Sequence, residues 1–233
     1  MNIIVTGASR GIGYETVKIL AADTGNKIIA LARNRGALEK LKRECNRGNV
    51  YIVAIDLADR NMKKKLIPFI QKQFKFIDIL INNAGAIVNK PIQSTSDKEL
   101  ENVYNVNVLS VYRLIRDLIP LLKRQKRGSH IVNISSMGGV QGSVKFSGLS
   151  AYSSSKGAVA VLTECLAQEL KQFNISVNCL ALGSVQTEML QKAFPGYKAP
   201  LSAIQMADFV ANFALAGNQH FNGKILPVSI STP

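Results

Sequence analysis

The chain alternates short runs rich in β-branched residues with longer stretches whose apolar positions recur every three or four residues. The runs Asn2–Thr6, Lys27–Ala32, Val50–Ile55, Ile77–Ile81, Ser129–Ile134, Ser176–Leu180 and Lys224–Val228 predict strands. The stretches Gly11–Ala22, Arg35–Cys45, Asn61–Gln73, Asp97–Arg124, Ala151–Phe173 and Leu201–Gly217 predict helices. Regular alternation of this kind argues for a parallel sheet with helices on both faces. Near-continuous apolar runs such as Ile77-Asp78-Ile79-Leu80-Ile81 fit strands buried on both sides. Ser96-Asp97-Lys98-Glu99 has capping-box spacing. After it, Val103, Val106, Leu114, Ile115, Leu118 and Leu121 mark one broad apolar face, and Pro120 should kink or loosen the last turn. Gly138–Ser150 reads as the longest loop and Gln186–Pro200 as a second irregular region. No repeat, low-complexity tract or linker divides the chain, so residues 1–233 are expected to form one domain.

Composition adds modest constraints. Hydrophobic residues make up 47%, enough for a sizeable core, yet no run approaches the roughly 18 apolar residues that suggest a membrane span. Asn2–Thr6 is already strand-like, so a secretory leader is not expected. Cys45, Cys165 and Cys179 show no metal spacing and cannot all pair with one another. Reduced thiols in a cytoplasmic protein are the simple expectation. His130 and His220 are too few and too separated to suggest a metal.

Charge changes the picture more. Twenty-nine basic residues against fifteen acidic ones give +14, with clusters at Lys63-Lys64-Lys65 and Lys123-Arg124-Gln125-Lys126-Arg127. No aromatic-rich recognition motif accompanies them, so solvated helix ends are a better reading than a nucleic-acid surface. A positive field would still attract anionic ligands, such as a phosphorylated cofactor or an acidic carrier.

The candidate chemistry lies in four motifs. Thr6-Gly7-Ala8-Ser9-Arg10-Gly11-Ile12-Gly13 follows the first predicted strand and opens the first helix. Glycines there allow a tight turn and close approach of a pyrophosphate to unpaired helix N–H groups. Asn82-Asn83-Ala84-Gly85 follows the fourth strand. Ser136 follows the fifth, its neighbour Ser135 pointing to the opposite side if the chain stays extended. Tyr152 and Lys156 lie four residues apart on a predicted helix, hence on one face. An ammonium near a phenol favours the phenolate, which suits proton transfer at an alcohol or carbonyl oxygen.

In order and spacing these motifs resemble the classical short-chain dehydrogenase/reductase family, from the first residues to about Met189. The resemblance implies a Rossmann-like, doubly wound, seven-stranded parallel sheet in a three-layer αβα arrangement. It implies NAD(P)-dependent interconversion of alcohols and carbonyls, with Tyr152 as general acid/base. Lys156 would hold the nicotinamide ribose, Ser136 the substrate carbonyl, and Asn107 a water-linked proton path. Asn105 is the rival for that last role. The cofactor would be bound by Gly7, Ser9, Arg10, Gly11, Ile12 and Gly13. Asp56 and Leu57 would lie at the adenine, Asn83, Ala84 and Gly85 beside the adenosine ribose, and Val185 and Thr187 at the carboxamide. Tyr152 and Lys156 would also touch it. The second strand ends Ala32-Arg33-Asn34 with no acid to bind a ribose 2′-hydroxyl. Arg33 and Arg10 converging on a 2′-phosphate would make NADP(H) the preferred cofactor over NAD(H).

NADPH-dependent reduction of a small ketone or aldehyde is therefore expected. A 3-oxoacyl-carrier-protein reductase, offering Lys123–Arg127 to an acidic carrier, is one alternative. A non-catalytic NADP-binding regulator with a basic nucleic-acid-binding surface is the other. The family implies a homodimer or homotetramer, here through Asp97–Arg124 and Ala151–Phe173. Ala158, Val161, Leu162 and Cys165 extend the apolar positions of the latter beyond one stripe. Three departures stand out. The interval from Ser136 to Tyr152 is longer than is common in the family, so Gly138–Ser150 carries an insertion. Leu182-Gly183 replaces the usual Pro-Gly. The stretch after Thr187 is short, which predicts a small lid.

Overall fold

A computed structural model describes residues 1–123 and 128–230. Seven parallel strands form one sheet: β1 (Asn2–Thr6), β2 (Lys27–Ala32), β3 (Val50–Ala54), β4 (Ile79–Asn82), β5 (Ser129–Ser136), β6 (Ile175–Leu182) and β9 (Ile225–Val228), in the order β3-β2-β1-β4-β5-β6-β9. Neighbours pair in simple register, Val5 opposite both Ala30 and Ile81, for example. Two short strands, β7 (Val185–Gln186) and β8 (Leu201–Ser202), pair separately.

The period-2 geometry of a strand divides the core in two. Ile3, Val5, Ile28 and Ala30 face a layer that includes Val17 and Leu20 of α1 (Gly11–Ala21), Leu38 and Leu41 of α2 (Arg35–Cys45) and Val210 of α8 (Ala203–Ala216). Ile4, Ile29 and Leu31 face the other layer. It holds Leu66 and Ile70 of α3 (Met62–Gln73), Leu114 and Leu118 of α5 (Ser110–Leu122) and Leu166 of α6 (Ser150–Glu169). The molecule is thus a Rossmann-like αβα sandwich. Its chain reverses direction across the sheet between β1 and β4, and ligands of such sheets bind in the crevice beyond the strands' carboxyl ends.

Element boundaries follow the sequence closely, with four informative differences. The long predicted helix Asp97–Arg124 is three pieces: α4 (Asp97–Tyr104), a π-turn (Asn105–Leu109) and α5. Ser96 and Glu99 do form the capping box. Pro120 lies inside the last turns of α5, which end two residues later. Arg124 lies outside the described residues. Second, Ile77 is buried but not in a strand, its N–H donating to Leu121 O. Third, Leu201–Ser202 is a strand, not the start of a helix, and Ser202 caps α8 instead. Fourth, the region read as irregular holds α7 (Glu188–Ala193), capped by the Thr187 side chain, which accepts from Leu190 N–H.

His130 of β5 is buried between sheet and α8. Its Nδ1 stands 3.0 Å from Ala214 O, which only accepts, so Nδ1 carries the proton. Nε2 then accepts from Asn178 Nδ2 at 3.1 Å. The amide of Asn178 cannot flip, because Nδ2 also donates to Phe221 O and Oδ1 accepts from Lys224 N–H. Burial holds this imidazole down at about 4.

Candidate functional site

Every sequence motif lies at the carboxyl ends of the strands. Thr6 organises the first junction. Its Oγ1 accepts from the N–H groups of Asn83 and Ala84, each at 2.9 Å, and Asn83 Nδ2 donates to Thr6 O. The loops after β1 and β4 are so close that a Cβ on Gly7 would lie 2.8 Å from Ala84 Cα. One on Gly13 would lie 2.6 Å from Gly7 O. Gly7 and Gly11 both have positive φ, 69° and 56°. The glycines are therefore required by the fold of the loop itself, and they leave its backbone open at the start of α1. Such a turn fits a pyrophosphate. Asn82 ties strands together, Nδ2 donating to Asn133 Oδ1 at 2.8 Å in the core.

Around this cradle, Ser9 and Ile12 are half-buried and Arg33 is exposed at the end of β2. Arg33 has no ion-pair partner among the described residues. Arg10 behaves differently from the expectation that it joins Arg33: its Nη1 pairs with Glu188 Oε2 at 3.0 Å, on the α7 side. Asp56 is exposed and accepts from Ala58 N–H, while Leu57 is buried beside it. Val185 is buried in β7, and the Thr187 methyl lies 3.4 Å from where a Cβ of Gly11 would stand.

The candidate proton-transfer group comes from β5, α6 and the π-turn. Lys156 is 4% exposed, and its Nζ donates to Ile134 O at 2.9 Å. Burial lowers its pKa to about 8, a shift that the nearby Cys179 partly offsets. Nζ is 5.9 Å from the Tyr152 ring centre. The phenol does not show the expected lowering by this ammonium. Burial pushes its pKa up, and only the Ser136 hydroxyl beside it pulls the other way. Ser135 does point away from Ser136, donating to Lys156 O at 2.8 Å and pinning that turn of α6.

Asn107, not Asn105, is the buried asparagine of the π-turn. It accepts from Ala86 N–H at 2.7 Å and donates to Ala86 O and to Ser155 Oγ, both at 2.9 Å. Asn107 Oδ1 and Lys156 Nζ both approach Gly85, where a Cβ would lie 3.5 and 3.6 Å from them. Thr6, Ser155 and Glu188 were not singled out from sequence. The Thr-Glu start of α7 was the available cap signal for the last.

The segment Gly138–Ser150 borders an open cavity of ≈ 500 Å³ against the first turns of α6, with Val140, Phe146, Leu149 and Ser153 in its wall. Lys90 N–H donates to Gly148 O of this segment, and the adjacent Asn89 Nδ2 donates to Ala193 O at the end of α7.

The match to the family of short chain dehydrogenases covers residues 1–198, and the chain belongs to that family. It is accordingly an NAD(P)-dependent oxidoreductase. An uncharacterized oxidoreductase of Staphylococcus saprophyticus is 35% identical over 189 residues, spanning 80% of this chain and 75% of the relative. Carbonyl reductase [NADPH] 2 of Sus scrofa is 34% identical over 190 residues, spanning 81% and 73%. Among solved structures, the 3-ketoacyl-(acyl-carrier-protein) reductase of Brucella melitensis complexed with NADH superposes with a TM-score of 0.86. It is 26% identical, with 97% and 96% of the two chains covered.

Proposed function

We propose that the chain reduces a ketone or aldehyde with NADPH as the preferred cofactor, on one domain that carries both cofactor and catalytic sites. The observation that carries this reading is the apposition of Ser136, Tyr152 and the buried Lys156 with Asn107 beside Gly85. When bound, the nicotinamide supplies the hydride. The chain's part is the proton. Ser136 and Tyr152 hydroxyls polarise the carbonyl oxygen, and Tyr152 gives its proton to that oxygen as negative charge develops. A phenol held above its ordinary value is protonated at neutral pH, which suits the reductive direction. Lys156, fixed by Ile134 O, holds its ammonium 5.9 Å from the centre of the phenol ring, and Asn107 fixes the loop at Ala86. Gly7, Gly11, Gly13, Asn83, Ala84 and Gly85 would line the dinucleotide, Asp56 and Leu57 the adenine, and Val185 and Thr187 the carboxamide. Arg33, exposed where NAD-preferring folds carry an acid, would receive the 2′-phosphate.

No helix among the described residues is long and apolar enough to cross a membrane. Three free cysteines support a cytoplasmic setting. Exposed Leu109 and Tyr112 by α5 and Val161 on α6 support pairing of copies through these helices. Ala158 and Leu162 are half-buried, so Val161 and Cys165 lead that face. A second reading is reduction of a carrier-bound 3-oxoacyl group, the chemistry named for the Brucella enzyme. Of the basic segment it invokes, only Lys123 is among the described residues, its Nζ 3.7 Å over the Phe173 ring. Initial rates on a panel of ketones, aldehydes and 3-oxoacyl thioesters, each with NADPH and NADH, test both readings. Cofactor binding without turnover of any carbonyl would defeat them.

A further inference from the structure

We infer that Glu188 is a specificity-determining residue: its carboxylate competes with the cofactor's 2′-phosphate for Arg10 and so limits the preference for NADPH. The inference rests on the NADPH reading above. The glycine loop after β1 and the start of α7 are in direct apposition, Gly11 against the Thr187 methyl and Arg10 against Glu188. Thr187 caps α7 and thereby fixes Glu188 as its first residue. The Arg10–Glu188 pair spans 178 residues of chain, so it is a tertiary contact and not a local one.

Glu188 and a 2′-phosphate would reach Arg10 from different elements, Glu188 from the start of α7 and the phosphate from the side of Arg33 at the end of β2. A guanidinium paired with Glu188 is held by an anion that the phosphate would have to displace. Arg33 is already exposed and without an ion-pair partner among the described residues, whereas Arg10 must first exchange one anion for another. The exchange is easy, because both side chains of the pair are solvated, 45% and 60% exposed. A phosphate monoester carries about −1.5 to −2 charge at pH 7, more than the single charge of the carboxylate it would displace. NADH brings no 2′-phosphate and leaves the pair in place.

The test is binary binding of NADPH and NADH, followed by cofactor fluorescence, in wild type, Glu188→Gln, Arg10→Ala and the double variant. Glu188→Gln is expected to raise the ratio Kd(NADH)/Kd(NADPH) roughly two- to fivefold, the range an exposed ion pair supports. In the Arg10→Ala background the same change should leave the ratio where it was. A ratio that stays constant or falls on Glu188→Gln overturns the competition, including the case in which the pair clamps both cofactors and both affinities weaken together. Failure of the underlying reading looks different: Arg10→Ala would then leave the wild-type ratio unchanged whatever Glu188 does.

Discussion

Acidification should destabilise this protein through one histidine. In the fold, His130 donates from Nδ1 to Ala214 O and accepts at Nε2 from an amide of Asn178 that cannot turn over. A second proton would set N–H against N–H in the core. Burial accordingly holds the ring at about 4, against an ordinary value of 6.5 in the unfolded chain. The folded value is the lower one, so the unfolded chain binds more protons between these two values. Stability is complete above the unfolded value and is lost as pH falls toward the folded one. At pH 5 the loss from this residue alone is about 2 kcal/mol. Urea denaturation at pH 7 and pH 5, in wild type and His130→Gln, reads it. Glutamine can keep one donor and one acceptor without titrating. The variant will be less stable at both values through lost ring packing against Phe213, centred 5.5 Å away. The informative quantity is its smaller change between them, by about 2 kcal/mol. Parallel losses in the two proteins, equal within about 0.5 kcal/mol, would refute the assignment of His130 as the buried neutral ring.

Three further outcomes are expected. Tyr152→Phe should lower kcat by about 10²–10⁴-fold while cofactor titration stays near wild type, since only the transferable proton is removed; activity within about threefold would rule out the assigned acid. Arg33→Ala should weaken NADPH binding about tenfold or more and NADH binding little, because one charge-assisted bond is lost; equal losses would take Arg33 out of the 2′-phosphate site. Light scattering at micromolar concentration should give at least twice the 25.3 kDa of one chain; an active species of monomer mass would defeat assembly through the α5 and α6 faces.

The strand positions and the parallel, doubly wound class were legible because they rest on periodicities that burial enforces. Ile3, Val5 and Ile4 alternate between two core layers as a doubly buried strand must. The glycine positions were legible because close loop approach excludes any other side chain at Gly7 and Gly13. What the sequence hid depends on tertiary apposition. Two-residue strands such as Val185–Gln186 exist only because Leu201–Ser202 lies beside them. The six-residue helix α7 is too short for a periodic signal, and Pro195-Gly196 nearby suggested irregular chain. Pairing of Arg10 with Glu188 could not be inferred from residues so far apart in sequence. The phenol's raised pKa escaped prediction for a related reason. Spacing along a helix showed that Lys156 was near, but not that burial would outweigh it.

The π-turn at Asn105–Leu109 has a bearing on how such a protein changes over evolution. A π-turn takes up one residue more than the α-helical path it replaces. Deleting a residue there would let the segment relax to ordinary helix with α4 and α5 still seated on their own core contacts. What would vanish is the reach of Asn107 to Ala86 and Ser155. If Asn107 serves turnover as proposed, length variation at this point separates fitness for folding from fitness for chemistry. A lineage released from selection for turnover could then lose the wide turn by a single in-frame deletion and stay well folded.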